Sequence, residues 1–279
     1  MMEIDTEHLT GRWDCSIDEY HADRQWLSHS ALEIFRRSPR LYKMWFDGDW
    51  EREQTKEFRI GSALHAMVLE PDSFAGRFDV HDFSNRNSTK FKDAVKADAA
   101  RDHLLLSEFE LVMKMASAII CHSWIDEMIG KADKEVSYRF LEPFFEIPCK
   151  VRPDGITDYG IVFDLKTSRD PSEASWVRDA ANFGYHRQAA FYLRGLIESK
   201  IVLYDRYSFV HIVVGSVEPF DVFAYQIDVE SIELGIHETK YALKELKKRR
   251  LNNDWRERNH GKIATVRLPA WYLKKGWEE

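Results

Sequence analysis

The stretch VRPDGITDYGIVFDLKTSRD, residues 151–170, holds the side chains whose types and spacing most directly suggest chemistry. Asp154 precedes a turn, Asp164 follows it, and Lys166 stands two residues further on. Paired carboxylates can hold a hard divalent cation through oxygen, and an ammonium beside them can donate to an oxyanion as its charge develops. Whether the three meet depends on register. Val151, Ile156, Ile161, Val162, Phe163 and Leu165 favour strands, and Asp158, Tyr159 and Gly160 carry turn chemistry, so the stretch predicts a β-hairpin. Antiparallel pairing about Tyr159 sets Asp154 opposite Asp164, and period-two alternation puts Lys166 on the same face. Like charges facing each other destabilise a sheet, so the arrangement calls for a cation, a shared proton or a slipped register. Pro153 cannot donate to a ladder and predicts a bulge or strand end beside Asp154.

An acid two residues before a lysine is not rare here: Glu198/Lys200, Glu238/Lys240 and Glu245/Lys247 share the pattern and read as solvated helix faces. Only Asp164/Lys166 sits on an apolar hairpin with a second acid opposite; the ordinary alternative is a surface salt bridge of small energy. Other elements must bring further candidates to this hairpin. His65 lies in IGSALHAMVLEP (60–71), an apolar helix stopped before Pro71, where an imidazole serves either the core or a metal. Glu135, opening the strand that precedes the hairpin, is a further acid. Tyr185, Gln188 and Tyr192 share one face of a long helix expected from about Ala174 to Ser199. The tyrosines there suit ordinary packing, but a buried glutamine needs hydrogen-bond partners.

Around these residues, Ser30-Ala-Leu-Glu33 reads as a capping box opening a short helix that Pro39 closes. Residues 72–90 read as an exposed loop and 91–129 as one or two helices. EVSYRFL (135–141) and FFEIPCKV (144–151) read as strands leading into the hairpin, and LYDRYSFVHIVVGS (203–216) and DVFAYQID (221–228) as strands after the long helix. This order predicts an α/β fold with a mixed central sheet flanked by helices. One domain spans 1–279: a mainly helical part (1–130), the sheet core (131–230) and a basic C-terminal helix and tail (231–279). A chain of 279 residues with 44% hydrophobic and 31% charged residues suits that size.

Cys15, Cys121 and Cys149 have no paired spacing, which argues against a disulfide framework or a cysteine-held zinc or iron–sulfur site and fits a reducing cytosol. No apolar run approaches a membrane span and the N-terminus is acidic, so a cytoplasmic protein without a membrane partner is expected. The net charge of −7 hides two basic patches, FRRSPRLYK (35–43) and KELKKRRLNNDWRERNHGK (244–262).

The succession GSALH, RPDG, DLKT, QAAFY resembles the PD-(D/E)XK nuclease superfamily, in the branch with a helical histidine and a Gln-x-x-x-Tyr helix found in RecB-type nucleases and relatives of lambda exonuclease. YHADRQWLSHSALEIFRRSPRLYKMW followed by FRIGSALHAMVLEPDSFAGRFDV is similar to the start of the exodeoxyribonuclease VIII (RecE-like) nuclease domain of bacteria and their phages and prophages. The matching stretches run from about residue 20 to 230. The resemblance implies a restriction-endonuclease-like core and Mg²⁺-dependent hydrolysis, with Mn²⁺ as a substitute. It implies linear double-stranded DNA as substrate, digested 5′→3′ to 5′-phosphorylated nucleotides. It further implies 3′ overhangs for recombination and repair, a ring-shaped homotetramer, and a single-strand annealing protein as partner. By the same resemblance His65, Asp154, Asp164 and the Leu165 carbonyl are metal ligands and Lys166 is the catalytic lysine. Gln188 and Tyr192 support the site.

Three rivals share the fold. A sequence-specific endonuclease needs a base-reading element, and none is recognisable. An iron–sulfur nuclease needs four cysteines, and there are three. A catalytically inactive DNA-binding relative would have lost chemistry, whereas each matched position carries a competent side chain.

Overall fold

A computed structural model describes residues 10–201, 207–257 and 260–275. The chain opens with β1 (Gly11–Trp13), α1 (Ile17–Ala22), α2 (His29–Arg37), α3 (Pro39–Asp47), α4 (Lys56–Leu69) and α5 (Pro71–Arg77). There follow β2 (Phe78–His81), α6 (Thr89–Ala97), β3 (Asp102–Leu105), α7 (Leu106–Cys121) and α8 (Ser123–Gly130). The middle holds β4 (Asp133–Lys134), β5 (Ser137–Glu142), β6 (Ile147–Val151), β7 (Gly155–Ile156) and β8 (Ile161–Ser168). Last come α9 (Glu173–Phe183), α10 (Tyr185–Glu198), β9 (Ser208–Gly215), β10 (Val222–Gln226), α11 (Val229–Asn252) and α12 (Ala270–Lys275). Among the described residues no helix is long and apolar enough to cross a membrane.

Several local expectations need correction. The cap of α2 is Ser28, whose hydroxyl accepts from the Ala31 amide, while Glu33 faces Arg187 of α10 instead of closing a capping box with Ser30. Pro39 and Pro71 do not only end helices. Each opens the next one at its first turn, where a missing N–H costs nothing. The expected loop at 72–90 contains α5 and β2, and β2 pairs in parallel with β3, which interrupts the expected helices of 91–129. The long helix of 174–199 breaks at Gly184, where φ is +74°. The left-handed backbone favours glycine there, and a Cβ would also displace the Arg187 guanidinium from its place beside Glu33 and Glu238. Residues 203–206 of the expected strand 203–216 lie outside the described residues; the remainder forms β9.

The central sheet has the order β10-β9-β8-β7-β4. β8 and β9 run parallel and the other pairs antiparallel, so the sheet is mixed, with α9 and α10 supplying the crossover that parallel neighbours require. β1, β5 and β6 form a separate three-stranded sheet. Each face of the central sheet is buried under its own apolar cluster. One gathers Val162 and Phe209 with α2, α3, α10, α11 and β5–β6. The other gathers Phe163, Leu165, Val210 and Ile212 with α4, α5, α7 and α8. Neighbours along β8 thus point into opposite clusters, which is why IVFDL is apolar on both faces except at its one acid.

Candidate metal centre

Asp164 and Lys166 lie on the face of β8 that Val162 begins, so the strand turns from apolar to charged as it leaves the core. The hairpin register is the one expected, with Gly155 opposite Phe163 and Ile156 opposite Val162. The ladder stops there, one residue short of Asp154. Continued, it would set Pro153, which has no N–H, against Leu165. The freed backbone of Leu165 finds side chains instead: its N–H donates to Asp154 Oδ2 at 2.6 Å, and its carbonyl accepts from His65 Nε2 at 2.8 Å. His65 Nδ1 then lies 3.3 Å from Asp154 Oδ2. The break that Pro153 forces therefore collects a carboxylate, an imidazole and a bare sheet edge at one point.

Glu135 enters from β4's end. Its backbone is left-handed, φ +55°, its N–H donates to the Asp154 carbonyl at 3.2 Å, and its carboxylate takes Arg152 Nε at 2.7 Å. Ligand atoms of His65, Glu135 and Asp154 lie within 4.8 Å of one another. Burial, then the charge of Asp154, pushes the Glu135 carboxyl up to about 7. Burial and then Asp164 push Asp154 well above the ordinary carboxylate range. Burial also lowers His65, against the pull of Asp164 and Glu135, and leaves a neutral imidazole of the kind metals accept.

Asp164 stands beside this trio with different partners. Gln188 Nε2 donates to its Oδ1 at 2.6 Å, and its Oδ2 pairs with Lys166 Nζ. Burial opposes its charge, yet Lys166 and His211 outweigh burial and hold the carboxyl below the ordinary range. Lys166 is raised in turn: burial works against its charge, but Asp164 and Asp154 prevail, so it is an ammonium. Its Nζ lies 5.2 Å from the Tyr185 ring centroid, and Tyr185 stacks on Trp176 at 5.0 Å. Tyr192 packs edge-on to Phe209 at 6.1 Å and bears on Gln188. The structure thus gathers His65, Glu135, Asp154, Asp164, the Leu165 carbonyl, Lys166 and Gln188, with Tyr185 and Tyr192 in the wall.

Two residues escape sequence reasoning. Arg152 anchors Glu135 and also donates to Ser137 Oγ at 2.9 Å; its signal is that it is the arginine of RPDG itself, a charge directly after the strand IPCKV. His211 pairs in register with Asp164 across β8 and β9, is fully buried, has no hydrogen-bond partner for either ring nitrogen, and is lowered by burial to about 3. Nothing local in FVHIVV marks it, because its neighbour is supplied by the parallel pairing. Glu238, read as a solvated helix face, instead joins Arg187, His186 and Arg36 in a network tying α10 and α11 to α2.

A mixed sheet between helical layers, with acids and a lysine at the end of its central strand, defines a PD-(D/E)XK-type fold. The chain belongs to the family described as "PDDEXK-like domain of unknown function (DUF3799)", whose model matches residues 28–269. The crystal structure of a candidate exonuclease from Eubacterium rectale is similar over 95% of this chain and 99% of that one, at 14% identity and a TM-score of 0.67. That likeness bears on the fold. A second solved structure, SSO0001, aligns over 81% of this chain and 86% of its own at 13% identity, but its TM-score of 0.27 carries no argument. No curated protein matches the chain. The family match supports the PD-(D/E)XK superfamily expected from the motifs and does not extend to the exodeoxyribonuclease VIII branch.

The donor set fits a hard divalent cation. Carboxylate oxygens of Glu135 and Asp154 converge with one neutral imidazole where the neighbouring Asp164 carboxylate raises the cost of charge on Asp154.

Proposed function

We propose that this chain is a divalent-metal-dependent deoxyribonuclease, with His65, Glu135, Asp154, Asp164 and the Leu165 carbonyl holding the ion. The observation that carries the reading is the break in the hairpin at Pro153, which brings these groups to one sheet edge within reach of Lys166. When bound, Mg²⁺, or Mn²⁺ in its place, supplies a Lewis acid that lowers the pKa of water and offsets phosphodiester charge. Lys166 Nζ is the donor for a non-bridging phosphoryl oxygen as charge accumulates on it. Asp164 keeps that ammonium in place and protonated, while Gln188 fixes the second oxygen of Asp164. Hydrolysis breaks the bond to the 3′ oxygen and leaves the phosphate on the 5′ side.

Family resemblance in the motifs supports the finer reading: an exonuclease on linear duplex DNA, acting 5′→3′, leaving 3′ overhangs for an annealing partner in recombination and repair, and assembled as a ring-shaped tetramer. The test is digestion in Mg²⁺ of one duplex in linear and covalently closed forms, with labels at the 5′ and 3′ ends. Loss of linear DNA from the 5′ label, with closed circles intact, is expected. Rapid linearisation of the circle would replace the exonuclease with an endonuclease, and no cleavage in Mg²⁺ or Mn²⁺ would leave an inactive DNA-binding relative.

A further inference from the structure

A second convergence of ligands lies away from this centre, on the small parallel pair β2–β3. Asp79 is in register with His103, and His81 follows two residues after Asp79, so all three side chains share one face. The other face, with Phe78 and Leu104, is in the core. His81 Nε2 lies 2.9 Å from His103 Nδ1 and 3.4 Å from Asp79 Oδ2. The three ligand atoms fall within 4.8 Å of one another.

The hydrogen bond on the far side of His103 decides what this cluster presents. His103 Nε2 is 2.7 Å from the Asp98 carbonyl, which can only accept, so Nε2 carries the proton and Nδ1 offers a lone pair. That lone pair and the Asp79 carboxylate both aim at His81 Nε2. Arg101 borders the cluster, with its Nε on Asp98 Oδ2 at 2.6 Å and its Nη2 ion-paired with Asp79 Oδ2 at the longer distance of 3.5 Å. The two imidazoles are fixed, while the Asp79 side chain stays 33% exposed: His103 is 5% exposed, and the His81 ring stacks on Phe83 at 5.3 Å and meets Phe91 edge-on at 5.6 Å. Donors about 2 Å from a tetrahedral ion stand about 3.3 Å apart, close to the spacings here.

We propose that Asp79, His81 and His103 form a transition-metal site of the zinc class that clamps β2 to β3. Two imidazoles and one carboxylate favour Zn²⁺ or Co²⁺ over Mg²⁺, which requires oxygen ligands. The role is structural. The site joins residues far apart in sequence at the start of the segment that packs α5 and α7 on α4, the helix carrying His65. Counting cysteines does not find such a site, since it uses none.

The test counts zinc on the full-length chain after chelator treatment, in excess Mg²⁺ so that the oxygen-rich centre is filled. Wild type should retain one equivalent of Zn²⁺ and show a higher melting temperature with it. Co²⁺ should give the intense visible bands of a tetrahedral ion. Asp79→Asn, which keeps the shape of the side chain, should bind Zn²⁺ at least tenfold more weakly. His81→Gln should lose the equivalent and the Co²⁺ bands, and both variants should keep the wild-type rate in Mg²⁺. Asp154→Asn should keep the zinc. Equal zinc content in wild type and Asp79→Asn, or a wild type that holds none, would overturn the proposal. Should His81→Gln not fold, the zinc content of Asp79→Asn decides the matter by itself.

Discussion

Burial acts on Asp154 and Asp164 alike, and what separates them is the partner each keeps. Asp164 has the Lys166 ammonium, whereas Asp154 has the Leu165 N–H and the repulsion of Asp164. Neutral replacements should therefore move stability in opposite directions. In metal-free protein Asp154→Asn should hold or raise the melting temperature, since the amide oxygen still accepts from Leu165 and a costly charge is gone. Asp164→Asn should lower stability by about 1–3 kcal/mol, discounted for the 20% of the Lys166 side chain that remains exposed. Both should cut cleavage roughly a hundredfold or more. Lys166→Met should behave differently: in the role proposed for it the ammonium acts on phosphate and not on the ion, so calorimetry should still detect metal binding while turnover falls. Glu135 adds a pH signature. Its folded value near 7 lies above the ordinary 4.5, so the folded state binds the proton more tightly. Metal-free stability from this group is then fullest below 4.5, falls as pH rises towards 7, and is level above. Metal must displace that proton, so affinity should climb through the same window. Calorimetric titration with Mn²⁺ in two buffers of different ionisation heat should show proton release at acidic pH, reduced in Glu135→Gln. The two aspartates and the lysine were legible in sequence because turn chemistry and alternation are local. The company of His211 was not, since a parallel neighbour comes from a distant strand.

The hairpin of β7 and β8 shows what an element must supply for such a site. Gly155 is needed because a Cβ there would lie 2.2 Å from the Phe163 ring, directly across the ladder and fully buried. Gly155→Ala should cost about 1–3 kcal/mol by forcing that ring out of its packing, measured by thermal or urea unfolding. The same displacement shifts Leu165 and the edge that Asp154 and His65 satisfy, so metal affinity should fall as well. Elements defined by their own residues were readable: α4, β5, β6 and the hairpin follow from periodicity and turn signals. Those defined by distant contacts were not. Glu33 completes a capping-box pattern with Ser30, but Arg187 holds it with paired contacts of 2.9 Å from a residue 154 positions away, and Ser28 caps instead. β2 alternates over only four residues, FDVH, β3 hardly at all, and the two exist as a pair through parallel register, which no local window reveals. The break at Gly184 was written in the sequence, as a lone glycine inside a helical pattern, and the long apolar face on either side masked it.

For the molecule as a whole, charge is the property that a duplex would meet first. The net charge is −7, and part of the basic patches is already committed inside the fold. Arg36 contacts Glu238 and Glu33, Arg249 donates to the Asp254 and Arg256 carbonyls, and Arg250 donates to the Tyr42 hydroxyl at 2.6 Å. Arg37, Arg40, Lys244 and Lys248 are exposed and remain available for phosphate. These residues should supply backbone contacts without base reading, so affinity for duplex should fall steeply with salt and show no sequence preference. Replacing Arg37 and Arg40 together by Glu should weaken binding uniformly across sequences and reduce the logarithmic salt slope by about 1–2, as measured by fluorescence anisotropy over a salt series. Cyclic repetition of one head-to-tail interface gives a ring through which a strand end can pass. On the proposed ring assembly, light scattering should report a mass well above the 32.9 kDa of one chain. A monomer that still degrades long duplex without releasing it would require processivity to come from the single chain itself. The basic substitutions would then lower the length digested per binding event, whereas in a closed ring they would lower only the rate of capture.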